Sequence, residues 1–71
     1  MPIDENDVVR LLRAIPAQGL ESGAKGTVVA VYGPGEDYEV EFCDEDGVTI
    51  AMLALPGSAL ELVWKYRKSQ S

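Results

Sequence analysis

The fold of this protein is decided by the stretch from Gly26 to Leu55, GTVVAVYGPGEDYEVEFCDEDGVTIAMLAL. Its centre alternates: Tyr38, Val40 and Phe42 fall on one face, and Glu39, Glu41 and Cys43 fall on the other. An alternation with a period of two is typical of a strand that buries one face. The stretch therefore predicts a β-strand at 38–43 whose apolar side faces a core.

Turn signals separate this strand from an apolar run on each side. Gly33-Pro34-Gly35 precedes it and Asp46-Gly47 follows it, and the two runs are Gly26–Tyr32 and Val48–Leu55. The second run has the composition of a buried helix as well, but its shortness and its position between an Asp-Gly turn and a Pro-Gly turn favour a strand. We therefore predict a three-strand meander.

Two further strands flank the meander. Asp7–Ile15 is rich in Val, Leu and Ile and predicts a first strand, which the polar loop Pro16–Lys25 follows. Pro56–Leu60 suits a single helical turn, and Glu61–Trp64 suits a short last strand. We predict one all-β domain over 1–71, a small five-stranded SH3-like barrel with a long loop after the first strand and one short helical turn before the last.

The expected core comes from the inward faces of these strands. It comprises Val8, Leu11, Leu20, Val29, Val31, Tyr38, Val40, Phe42, Ala51, Leu53, Leu55, Leu60 and Leu62. The sequence does not decide which face of the run 26–32 is buried. Either Val29 with Val31 or Val28 with Ala30 and Tyr32 could face inward. A one-residue bulge would exchange the two sets.

The composition restricts the possible functions. The 71 residues include 12 acids and 6 bases, giving a net charge of −6, and they include no His and a single Cys. A field of this sign repels phosphate backbones and anionic lipids. Catalytic triads, Cys–His pairs and most zinc sites need imidazoles or several thiolates, so we expect no enzyme, no cofactor and no metal site. The lack of an apolar span, the acidic start of the chain and the lone thiol predict a cytoplasmic protein without a membrane contact.

Several short sequence segments follow one another along the chain in an order typical of one family. They are Asp7-Val8-Val9, Ile15-Pro16, Gly19-Leu20, Gly23-Ala-Lys-Gly26-Thr27-Val28-Val29, Tyr38-Glu39-Val40-Glu41-Phe42 and Leu53-Ala54-Leu55-Pro56. In these segments the sequence resembles the bacterial family labelled domain of unknown function 4926, over about residues 7 to 63. The resemblance implies an SH3-like barrel of unassigned function and assigns no catalytic residue. Trp64–Ser71 lies beyond it.

The most unusual feature is an acidic stretch from Glu36 to Asp46, in which seven of eleven residues are acidic. It does not fit a calcium loop, because placing Gly47 at the EF-hand glycine puts Phe42 at the first ligand position and Leu53 at the last. It is either a solubilising surface or a docking face for a cationic partner. The candidate partner-binding residues are Glu39, Glu41, Asp44, Glu45 and Asp46.

Other signals have a structural interpretation beside a functional one. Gly23-x-x-Gly26 is similar to the glycine-led strand of KOW-type RNA-binding barrels, with Arg10, Arg13 and Lys25 nearby, but two glycines also serve a tight loop-to-strand entry. The aromatic and basic tail at 64–71 either binds a partner or is a loose C-terminal end. Cys43 lies beside carboxylates, which disfavour thiolate, and is expected to be inert.

Taken together, these features predict a small acidic, non-catalytic interaction module that docks on another, basic protein as a neutralising or accessory subunit. The alternative is a KOW-like binder of RNA or of a ribonucleoprotein. Val48–Leu55 carries apolar residues on both faces, with Ile50 and Met52 opposite Ala51 and Leu53, and we also expect a homodimer that covers them.

Overall fold

The computed structural model of the protein describes residues 3–67. It contains five strands, β1 (Val8–Leu11), β2 (Lys25–Tyr32), β3 (Asp37–Cys43), β4 (Thr49–Pro56) and β5 (Leu60–Trp64). Single 3-10 turns lie at Pro16–Gln18 and Gly57–Ala59. The prediction of an all-β fold with five strands, a long loop after the first and a short helical turn before the last is confirmed. The 3-10 turn within the long loop was not predicted.

All five strands belong to one antiparallel sheet with the order β4-β3-β2-β1-β5. The meander predicted at 26–55 forms the β2-β3-β4 part, and β5 returns to pair with β1. Among the described residues no ladder joins β4 to β5, so these are the two outer strands. The arrangement is that of a small β-barrel-like domain.

The hydrophobic core lies against one side of the sheet. The buried apolar residues are Val9, Leu11, Leu20, Val28, Tyr38, Val40, Phe42, Ala51, Leu55 and Leu60. Ile3, Ile15, Ala24 and Leu53 pack against them and are partly buried. The inward face of β3 is as predicted, since Tyr38, Val40 and Phe42 are all buried.

A bulge in β2 decides which of its residues are inside. Val28 lies opposite Val40, whereas Ala30 lies opposite Glu39, so the pairing register shifts between them. Val28 is buried completely, whereas Val31 is exposed and Val29 only half-buried. The expectation that Val29 and Val31 are core residues is therefore wrong. Val29 lies at the bulge, and Val31 lies opposite Tyr38 on the same side of the sheet but is 37% exposed near the end of β2.

The first strand is shorter than predicted, and Val9 rather than Val8 faces the core. β1 ends at Leu11 rather than Ile15. Val9 is buried completely and Val8 only half-buried, and the register against β5 shifts between these two residues. Val9 and Leu11 thus share the inward face with the two-residue period of a strand, and the assignment of Val8 to the core is wrong.

Gly26 allows β2 and β3 to approach closely. A Cβ atom at this position would lie 2.7 Å from Cγ1 of Val40 and 2.9 Å from both the Glu41 carbonyl oxygen and Cδ1 of Phe42. These distances are too short for a side chain, and one of the three contacts is backbone that cannot rotate away. Gly26 is therefore required for packing.

We expect Gly26→Ala to lower the free energy of unfolding by about 1–3 kcal/mol, the usual cost of forcing an extra carbon into a packed core. Urea unfolding followed by tryptophan fluorescence measures it. The control is Thr27→Ala at the next, exposed position, which adds no atom. Equal unfolding midpoints for Gly26→Ala and the wild type would contradict the close contact between β2 and β3.

Candidate functional site

The outward side of the β2-β3-β4 part carries a surface that we call the acidic face: Tyr32, Glu39, Glu41, Met52 and Ala54. Glu41 lies directly opposite Met52, and Glu39 lies directly opposite Ala54. Directly opposed residues of neighbouring strands point to the same side of a sheet. Because Val40 and Phe42 are buried, the two glutamates point away from the core.

Hydrogen bonds hold both glutamates in position. The hydroxyl of Tyr32 donates to Oε1 of Glu39 at 3.0 Å, and the hydroxyl of Thr49 donates to Oε2 of Glu41. The hydrogen bond to Glu39, together with the negative charge of that carboxylate, raises the pKa of Tyr32. Each glutamate is half-buried, and among the described residues no Lys or Arg forms an ion pair with either. Their charges are therefore available to a partner.

The other three predicted acids lie in the turn between β3 and β4. Oδ1 of Asp44 accepts hydrogen bonds from the backbone N–H groups of Asp46 at 2.9 Å and Val48 at 3.0 Å. A carboxylate that binds the backbone of its own turn shapes that turn. Asp44 thus has a structural role, although it is exposed like Glu45 and Asp46. The structure divides the five predicted residues between the acidic face and the turn.

An open groove of about 590 Å³ lies beside this turn. The loop 19–24 forms one wall, and Cys43, Asp44, Glu45 and Ile50 line the other side. Cys43 is a free, exposed thiol. A second depression, of about 120 Å³, is lined by Lys25, Thr27 and Glu41 among others. Both openings have acidic residues on their walls.

The outer strand β4 adds an apolar border to the acidic face. Ile50 is 49% and Met52 is 52% exposed, and Val48 just before the strand is 59% exposed. Trp64, the largest aromatic side chain, lies on β5 opposite Val8, at the other end of the strand order. Within residues 3–67, nothing buries the side chains of Ile50 and Met52.

A buried carboxylate, which the sequence analysis did not single out, joins the two ends of the described chain. The side chain of Asp7 is 1% exposed, and its Oδ2 lies 2.8 Å from Nζ of Lys65. The backbone N–H groups of Asp4 and Tyr66 donate to Asp7 as well, each at 2.8 Å. Nζ of Lys65 also lies 2.5 Å from Asp4. We call these four residues the Asp7 cluster.

The Asp7 cluster stabilises its own charges. Burial alone would raise the pKa of Asp7, but the hydrogen bonds from Lys65, Asp4 and Tyr66 and the positive charge of Lys65 together lower it. The hydrogen bonds from Lys65 to Asp4 and Asp7 outweigh partial burial and raise the pKa of Lys65. Lys65 of the basic tail thus forms ion pairs with Asp4 and Asp7. Of the predicted tail at 64–71, residues 68–71 lie outside the described residues.

Several of the features that suggested an RNA-binding barrel make contacts within the protein. Arg10 forms an ion pair with Glu61, and Gly26 is needed for packing. Gly23 has a φ of 90°, a left-handed backbone conformation that favours glycine. Trp64 and Tyr66 contact each other edge to face, with ring centroids 6.2 Å apart. The glycine signature is thus explained by geometry.

The described part of the chain lacks two other kinds of feature. Within residues 3–67, no three His, Cys, Asp or Glu side chains come together in a way that could hold a metal ion. The same residues contain no helix with the length and apolar character to cross a membrane.

Comparison with known proteins gives one relationship. No curated protein and no solved structure matches the chain. The family model described as Domain of unknown function (DUF4926) matches residues 5–62, which include all of β1 to β4 and the acidic face. The chain therefore belongs to the DUF4926 family.

Proposed function

We propose that this protein is a small acidic, non-catalytic interaction module that docks on a basic protein through the acidic face. The observation that carries the proposal is the pair Glu39 and Glu41, held side by side by Tyr32 and Thr49 and without a cationic partner among the described residues. Because the two carboxylates are held in place before binding, less side-chain entropy is lost when a partner binds.

The surroundings of the two glutamates support docking rather than mere solubility. Tyr32 and Met52, both about half exposed, flank the carboxylates on the same side of the sheet. Aromatic and Met side chains are enriched at protein interfaces. The net charge of −6 adds a long-range attraction for a basic protein. We further propose that the module acts in the cytoplasm, where the exposed thiol of Cys43 would stay reduced.

The alternative, a binder of RNA or of a ribonucleoprotein, remains a prediction with weaker support. Arg10 and Lys25 are neighbours across β1 and β2, but Arg10 already has Glu61 as its partner. The experiment below distinguishes the two functions.

Capture of partners from the host cytosol, with and without nuclease and at two salt concentrations, tests the proposal. The bait variants are Glu39→Gln with Glu41→Gln and, as a control with the same change of charge, Glu5→Gln with Glu21→Gln. Glu61 is unsuitable as a control because it binds Arg10. We expect a partner that resists nuclease, dissociates at high salt, and is lost only with the Glu39 and Glu41 variant.

The association rate with the captured partner gives the quantitative result. Removing both charges of the acidic face should slow association by about tenfold at low salt and by less at high salt, where screening acts over about 8–10 Å. Dissociation should change less. Equal losses for both variants would show that only total charge matters. Capture that nuclease abolishes would favour the RNA alternative.

A further inference from the structure

The strand β4 is an outer strand that lacks charged side chains, one of the usual protections against pairing. No residue from Val48 to Leu60 is charged. Natural proteins commonly place charges on outer strands because unpaired N–H and C=O groups invite another chain. In β4 the charges lie one strand further in, on Glu39 and Glu41. The edge is therefore open to pairing, with the acidic face beside it.

Building on the proposed docking function, we propose that the partner supplies an extended segment that adds as a new strand along β4 and carries two basic side chains spaced two residues apart. Addition of a strand to an exposed sheet edge is a general mode of peptide recognition in which backbone hydrogen bonds supply affinity and alternate side chains supply specificity.

The register of β3 and β4 sets the spacing of the basic residues. Glu41 and Met52 form one row across the sheet, and Glu39 and Ala54 form the next. A strand added beside β4 extends both rows by one position, about 10 Å from β3, and the two new positions are separated by one inward-facing residue. A basic residue at each of them lies in line with a glutamate.

The side chains between the strands suit long basic residues. Ala54 is small and Met52 is flexible and apolar, so the methylene stem of a Lys or Arg can lie across them while its charged head reaches the carboxylates. One oxygen of each glutamate already binds Tyr32 or Thr49. The other oxygen of each remains to accept a hydrogen bond from the incoming cation.

Charge selects this occupant over a second copy of the chain. The regular part of β4 runs from Ala51 to Leu55, since the register shifts before Ala51 and Pro56 ends the strand. A second copy paired there would present only its own uncharged β4 side chains, which leave Glu39 and Glu41 without partners. The homodimer expected from the sequence stays a prediction and is the competing outcome of the test.

Synthetic peptides of about seven residues, the length of a typical strand, provide the test. One peptide alternates Lys with Val or Thr. A second has the same composition with its Lys residues contiguous, and a third is the alternating peptide with N-methyl groups on every second amide. Isothermal titration measures affinity, and amide NMR shifts locate the binding. We expect the alternating peptide to bind with shifts concentrated in β4, and N-methylation to weaken binding by more than about tenfold.

Protein variants complete the design. Glu39→Gln with Glu41→Gln should weaken binding of the alternating peptide by about tenfold, whereas Glu5→Gln with Glu21→Gln should change it little. Ala54→Lys places a positive charge in line with Glu39 at an exposed position. It should keep the fold, as checked by the NMR spectrum, and reduce binding.

The outcomes separate this inference from the proposed function. Binding that needs Glu39 and Glu41 but ignores N-methylation and Lys spacing would overturn strand addition and leave acidic docking intact. Binding indifferent to both glutamates, or no binding by any peptide, would overturn strand addition, and the cytosolic capture then decides the proposed function independently. Sedimentation as a dimer, with the β4 amides protected in the absence of peptide, would assign the edge to a second copy and overturn the inference.

Discussion

Replacing Asp7 with Ala is expected to remove a large share of the stability of this protein. The side chain is 1% exposed and accepts hydrogen bonds from Lys65, Asp4 and Tyr66. Breaking a buried ion pair by removing one partner costs about 3–5 kcal/mol, and the lower end applies because Lys65 keeps Asp4. A domain of this size has about 4–10 kcal/mol in total. Urea unfolding measures the loss.

The control for Asp7→Ala is Asp4→Ala. Asp4 contacts the same Lys65 but its side chain is 64% exposed, so its removal should cost no more than about 1 kcal/mol. Lower protection of the Tyr66 amide in hydrogen exchange should accompany Asp7→Ala only. If the Asp7 and Asp4 variants lost equal stability, the buried role of Asp7 would be wrong.

The Asp7 cluster also makes a prediction for pH. The pKa of Asp7 is lowered in the folded protein from its ordinary value of 3.8, so its contribution is present above about pH 3.8 and is lost as the pH falls through the folded value. The pKa of Lys65 is raised from 10.5, so its contribution is lost only at higher pH. The difference in thermal midpoint between the wild type and Asp7→Asn should be constant from pH 5 to 7 and shrink below 3.8. A difference that stays constant at acid pH would contradict it.

Phe42→Ala should be as damaging, for a different reason. Phe42 is 1% exposed and is among the largest completely buried side chains of the described chain. Truncating a buried Phe to Ala costs about 3–5 kcal/mol, because transfer energy is lost and a cavity remains. Against a total of about 4–10 kcal/mol, the variant should lose a large share of its stability and unfold at a clearly lower temperature than the wild type.

The comparison for Phe42→Ala is Met52→Ala on the opposite side of the sheet. Met52 is 52% exposed, so the same kind of truncation should change stability by less than about 0.5 kcal/mol. Thermal unfolding by circular dichroism distinguishes them. Near wild-type stability for Phe42→Ala would overturn the inward assignment of β3.

The local alternation of residues 38–43 was enough to place both the core face and the glutamates of the acidic face. In a strand, neighbouring side chains must point to opposite sides, so burying Phe42 directs Glu41 outward whatever else the chain does. The turns at Gly33–Gly35 and Asp46-Gly47 were equally predictable. Glycine marks a turn because it accepts a positive φ, and Gly33, Gly35 and Gly47 all adopt one. The meander and its two faces were predictable for this reason.

The face of β2 was not predictable, although its residues are as apolar as those of β3. Both sides of the run 26–32 carry Val, Ala or Tyr, so hydrophobicity alone gives no preference. The choice depends on where the bulge lies, and the bulge is set by the pairing with β3. Only the tertiary structure could show that Val28 is buried and Val31 is exposed.

Patterns among neighbouring residues thus predict the five strands, the turns of the meander and the two faces of β3. The remaining features depend on residues far apart in the chain and were visible only in the folded protein. Asp7 binds Lys65, which lies 58 positions later in the chain, and no sequence pattern around Asp7 predicts its burial. The isolation of β4 at the edge likewise follows from the return of β5 to β1. Local periodicity reports which way a side chain points, but which groups then meet is decided by the global packing of the sheet.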